Sequence, residues 1–235
     1  MNNVRTVSDT KRTFYTLHTR PINTIYRRVV EELMVEMHLL SVNVDFSYNP
    51  IYGLGVYTAF NRFMQGYEPE TDKESIFNAL LRATEDDPQR FQQDAHKLQE
   101  IAQSLSGNDL IAWLSQKNSL DRDADFQAQL QAIAGNPKFK YSRLFAIGLF
   151  TLLEFADGEL VKDEKKLNEA LKTIATGLNI SDDKLNKDLE LYRSNLDKMS
   201  QAMVVMADML AADRKKREQR QQQANATANP PASQE

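Results

Sequence analysis

Apolar residues recur along this chain at spacings of three and four, the period of helices with one buried face. The stretch after Pro21 shows it most clearly. Ile22, Ile25, Tyr26, Val29, Val30, Leu33, Met37 and Leu40 form one broad apolar stripe. Arg27, Arg28, Glu31, Glu32 and Glu36 fall on the other side, where Glu32 and Glu36 can pair at the surface with Arg28 and its neighbours.

Capping and breaking residues cut the pattern into elements. Ser8 and Asp9 predict a short first helix to about Leu17, and Pro21 the first turn of a helix ending near Leu40. Asn49-Pro50 opens a helix to about Gln65, and Thr71 with Glu74 forms a capping box for one through Arg82. Asp87-Pro88 starts another that ends near Gly107, with shorter helices at 109–116 and 123–134. Asn136-Pro137 introduces an apolar segment up to Ala156 that reads as a fully buried helix. Asp157-Gly158 reads as a turn with Gly158 at positive φ, and Asp163 caps a helix that stops at Gly177. From Asp182 to Arg220 neither proline nor glycine interrupts the chain, so a helix of about 58 Å is expected. The polar QQQANATANPPASQE segment predicts a disordered tail.

The fold class is therefore all-α. A compact multi-helix globular domain is expected over 1–180, a long C-terminal helix of coiled-coil type over 181–220, and a disordered tail over 221–235. Composition agrees: 41% hydrophobic and 26% charged residues in 235 suit a globular chain with a proper core. The absence of cysteine removes disulfides, thiol catalysis and cysteine-based metal sites. A net charge of −4 gives no whole-chain pull toward nucleic acid. Leu144 to Leu153 is the longest apolar window and falls short of the roughly 20 residues that span a bilayer. The amino terminus, MNNVRTVSDTKR, has neither the apolar run of a secretory signal nor a plastid-type leader, so a soluble or membrane-surface protein is expected.

Tests for site chemistry fail in turn. Asp121, Asp123 and Asp125 alternate like the opening of a calcium loop. However, Phe126 stands where the turn needs glycine, and Ala132 where the bidentate glutamate belongs. Di-iron bundles use Glu-x-x-His pairs, but Tyr15, Val35 and Gln93 precede His18, His38 and His96 by three residues. Gly53-x-Gly55 lies inside a helical pattern, where it serves close approach of a helix or ring rather than phosphate binding. No catalytic residue, metal site or cofactor is expected.

Two features suit partner binding. Ten aromatic residues lie between Phe14 and Tyr67; most read as core, with Tyr48 and Tyr52 as candidates for an exposed partner surface. The second is the last helix. Leu185, Leu189, Tyr192, Leu196, Met199, Met203, Met206 and Leu210 make a heptad seam, and Val204, Val205 and Met209 add another apolar strip. Asp208 is the only charge from Met199 to Ala212, and Arg214, Lys215, Lys216 and Arg217 follow at once. Methionine-rich helices suit adaptable docking, and a basic run suits anionic lipid or an acidic protein face.

The stretch from Thr6 to Tyr67, with HTRPINTIYRRVVEELMVEMHLLSVN at its centre, closely resembles the thylakoid-formation protein family, also described as photosystem II-associated. The resemblance continues through Leu144–Asp163 and fades in the tail. It implies a peripheral protein on the cytoplasmic side of a cyanobacterial thylakoid membrane, or a trimmed plastid form. It implies a role in membrane biogenesis and in photosystem II assembly and repair, with an FtsH-type membrane protease, photosystem II-associated proteins or both as partners. A peripheral contact with thylakoid lipid is the alternative. The resemblance carries no catalytic residues to this chain.

Overall fold

A computed structural model describes residues 5–119 and 123–228, and all the regular secondary structure among them is helical. The helices are α1 (Val7–Leu17), α2 (Thr24–Ser41), α3 (Pro50–Phe63), α4 (Asp72–Ala83), α5 (Pro88–Gln103), α6 (Gly107–Leu114), α7 (Ala124–Ala134), α8 (Arg143–Ala156), α9 (Glu164–Leu178) and α10 (Asp182–Ala228). A single 3-10 turn, Leu160–Lys162, joins α8 to α9. The chain divides into two compact units, Met1–Arg193 and Ser194–Glu235.

The first unit is built around α3 and α8, which lie against each other, with α5 packed on both and α2 on α3. Every residue of α8 from Leu144 to Leu153 is buried, as its unbroken apolar run predicts. The two helices touch backbone to backbone. A Cβ on Gly55 would collide with the Leu144 carbonyl, and one on Gly148 with the Ile51 carbonyl. Gly53 instead makes room for the Tyr48 ring, so the Gly53-x-Gly55 pair admits one ring and one helix. Around this crossing, α1 packs on α2 and α4, while α6 and α7 pack on α9.

Local signals placed several starts correctly. Asn49, Asp87, Asp123 and Asp163 each accept backbone N–H bonds as N-caps of the helices that follow them. Elsewhere the structure corrects the expectation. Thr6, not Ser8, caps α1 in a capping box with Asp9. Asn23 caps α2, leaving Pro21 outside it. Thr71 has helical backbone angles and makes no capping bond, because a capping side chain reaches back only from an extended residue. Ser142, six residues after Asn136, caps α8. α5 ends at Gln103, and Gly107 begins α6 behind the Ser106 cap.

Two glycine roles also differ. Among the described residues the only glycine at positive φ is Gly66, so Gly158 is not the left-handed residue of its turn. Asp157 Oδ1 makes that turn instead, accepting from the Glu159 and Leu160 amides. α9 runs past Gly177 to a left-handed Asn179, while Gly177 admits the backbone of Ser115. α10 continues beyond Arg220 to Ala228; residues 229–235 of the expected tail lie outside the described residues.

Candidate functional site

Both candidate regions can now be built from their residues. Tyr48 and Tyr52 stand at the entry to α3, opposite α5. Tyr52 is 1% exposed and packs against Phe46 and Phe91 at ring separations of 5.1 and 6.0 Å. The expectation that it belongs to a partner surface is therefore corrected: it is interior. Tyr48 is half-buried. Its hydroxyl donates to Asp94 Oδ2 at 2.7 Å, and the Arg90 guanidinium sits 3.7 Å from its ring centre. Burial, then the bond to Asp94, raises the Tyr48 pKa far beyond the ordinary phenol range. Tyr48 is thus a clamp between the α2–α3 loop and α5.

Half of the other eight aromatics of the N-terminal cluster are core. Phe14, Tyr26, Phe60 and Tyr67 are all buried, and Tyr26 meets Tyr67 edge-on at 5.1 Å. His18 and His38 are buried beside Ser75 and Thr10 hydroxyls, and burial lowers both imidazole pKa values by disfavouring the charged form. Among the described residues no group of histidine and carboxylate side chains could hold a metal ion. Asp121 of the calcium-like run lies outside the described residues.

The start of α10 belongs to the first unit and is tightly anchored there. Leu185, Leu189 and Tyr192 are buried, and Tyr192 meets Phe63 edge-on at 5.8 Å. Asp188 accepts from the Tyr141 hydroxyl at 2.9 Å. Arg62 of α3 pairs with Glu154 of α8 beside Tyr192, whose pKa burial pushes up to about 12. Glu36 also departs from expectation. It is drawn inward to pair with Arg143 rather than with Arg28, and burial raises its pKa despite that cation. Arg28 does pair with Glu32, at 2.9 Å.

The second unit, Ser194 onward, carries the remaining candidates on one continuous helix. Met199 is buried, and Met203 and Met206 are half-buried. Val204, Val205 and Met209 are 60%, 54% and 65% exposed. The side chain of Leu210 lies outside the described residues. Arg214, Lys215, Lys216 and Arg217 are all exposed, one turn beyond the apolar strip. An exposed aliphatic strip followed by four cations can bury apolar surface and attract negative charge at once.

Sequence reading missed a further exposed apolar group: Leu39 at 57%, Val42 at 39% and Val44 at 97% exposure, near the end of α2. Their signal was present as a second stripe, since Val35, Leu39 and Val42 follow at spacings of four and three.

Comparison with known proteins agrees with this architecture. A profile of the thylakoid formation protein family matches residues 6–221. The chain is 77% identical over 235 residues to Protein Thf1 of Nostoc punctiforme, covering 100% of both chains. It is 58% identical over 218 residues to Protein Thf1 of Acaryochloris marina, covering 93% of this chain and 88% of that one. A solved structure of Psb29 matches with a TM-score of 0.79 at 45% identity, covering 91% of this chain and 99% of that one.

Proposed function

Because this chain belongs to the thylakoid formation protein family, we propose that it is a non-catalytic helical adaptor that binds and stabilises an FtsH-type thylakoid protease complex. In that role it supports photosystem II assembly and repair from the cytoplasmic side of the membrane. The family is not a known family of enzymes. No helix among the described residues is long and apolar enough to cross a membrane.

The exposed strip of Val204, Val205 and Met209, continued by Arg214–Arg217, is the observation that carries this reading. Burying one such side chain yields about 1.5–3 kcal/mol, and methionine adapts to irregular partner surfaces. Tagged protein purified from mildly solubilised thylakoids should recover FtsH-type subunits in near-fixed ratio; their absence would refute the adaptor reading.

The same cations favour a second reading, a peripheral protein that organises thylakoid membrane through anionic lipid. Replacing Arg214, Lys215, Lys216 and Arg217 with glutamine would then abolish binding to anionic vesicles. Under the adaptor reading, the unsubstituted chain binds such vesicles weakly or not at all.

A further inference from the structure

The outer face of α2 is divided along its length. Its first turns carry Arg27, Arg28, Glu31 and Glu32, whereas its last turns carry Val35 and Leu39, followed by Val42 at the C-cap. These three fall at spacings of four and three, so they form one ridge on the side away from the buried Tyr26–Leu40 stripe. Leu39 is 57% exposed, yet α2 is firmly held in the first unit.

Val35 and Leu39 of this ridge line a groove of about 780 Å³ whose walls include Lys11 of α1 and Arg143 of α8, and Val42 follows just beyond it. The groove's three carboxylates are already engaged. Lys11 pairs with Glu31 at 2.8 Å, Arg28 with Glu32 at 2.9 Å, and Arg143 with Glu36. The Tyr15 hydroxyl also donates to Glu31, at 2.7 Å. Arg27 adds a fourth cation, leaving the lining positive by one charge with its acidic groups occupied.

The loop after the ridge is built rather than frayed. Asn43 Oδ1 accepts from the Asp45 amide at 3.0 Å, Phe46 packs on Tyr52, and Tyr48 is clamped to Asp94. Val44, two residues after Val42 in this loop, is 97% exposed. Fixed aliphatic side chains on a rigid frame lose little entropy on binding.

We propose that this groove docks an amphipathic helix of a partner protein, with an apolar row flanked by aspartate or glutamate. Val35 and Leu39 stand one helical turn apart, about 6 Å along the axis, which matches the side-chain rows of a second helix. The surplus cation and the outward edges of Lys11, Arg28 and Arg143 select acidic flanks over basic ones. Three carboxylates in the lining disfavour a sheet of anionic headgroups. The groove lies wholly within the first unit and shares no residue with α10.

The test uses the full chain with methyl-labelled valine and leucine. It is titrated with a synthetic helix whose leucines repeat every three and four residues between glutamates, and then with its lysine counterpart. The methyl signals of Val35, Leu39, Val42 and Val44 should shift together with the acidic helix, and the basic helix should bind about tenfold more weakly. Leu39→Glu should remove the shifts while leaving the melting temperature unchanged. Equal binding of both helices, or no shift at these methyls, would overturn the proposal. So would shifts that appear on raising the protein concentration alone, which would assign the ridge to a second copy of the chain.

Discussion

The α3–α8 crossing and the second half of α10 are both apolar helix, and they treat their apolar side chains in opposite ways. At the crossing, Gly55 and Gly148 let two backbones meet, and Ile51, Leu54, Val56, Leu144, Ile147 and Leu152 around them are at most 5% exposed. On α10, Val204, Val205 and Met209 keep more than half their surface open, with cations directly beyond them. Residues of one chemical type thus form a core in one place and a surface in the other. Small residues allow the close packing that interior stability requires. On α10 the same apolar character is left open to solvent, as the proposed partner contact would require.

The largest expected effect tests the crossing. Gly55→Val would drive a side chain into the Leu144 carbonyl and the Gly148 backbone, which cannot yield as a flexible side chain could. Stability should fall by about 3 kcal/mol or more, read as a shift of the denaturant midpoint. A loss under about 1 kcal/mol would mean that the crossing has slack.

A smaller effect concerns Asp86, at the turn between α4 and α5. Burial lifts its pKa from 3.8 to about 6, although the Thr84 hydroxyl and Arg90 both work to lower it. The folded value exceeds the unfolded one, so the folded state binds the extra proton between about pH 4 and 6. Stability from this group is therefore full in acid and is lost as pH rises through 6. Asp86→Asn, which can still accept from Thr84, should stabilise the protein by about 1–2 kcal/mol near pH 8, allowing for its partial exposure. The difference from the parent should vanish below about pH 4, and a constant difference across that window would refute the assignment.

The smallest effect on stability belongs to the open strip. Val205→Ser with Met209→Gln should change the unfolding free energy by no more than about 0.5 kcal/mol per site, since both side chains already face solvent. Partner recovery should nevertheless fall. A large loss of stability would show that the strip serves the fold.

How far the sequence revealed this depends on the range of the interaction behind each feature. Caps at Asn49, Asp87, Asp123 and Asp163 are local chemistry and could be read directly. So could the burial of α8 and the close-approach role of Gly53 and Gly55. Thr71 misled because a capping box needs extended backbone, and the turn before α4 gives it helical angles. Tyr52 and Glu36 misled because Phe91 and Arg143, the groups that enclose and pair them, lie far along the chain. The apolar strip and basic run of α10 were visible as composition. Only the structure shows that Val204, Val205 and Met209 face outward. The Leu39 ridge is hard to read from sequence because the charged residues on the first turns of α2 mask the apolar residues on the same outer side of its last turns.

The central claim is that the first unit is the folded body and that the helix beyond it makes the partner contact. Comparing the full chain with one lacking residues 197–235 tests it most directly, with thermal unfolding and recovery of FtsH-type subunits measured on the same preparations. The account predicts a cooperative unfolding transition close to that of the full chain, together with loss of most of the protease recovered. Unchanged recovery by the shortened chain would contradict it.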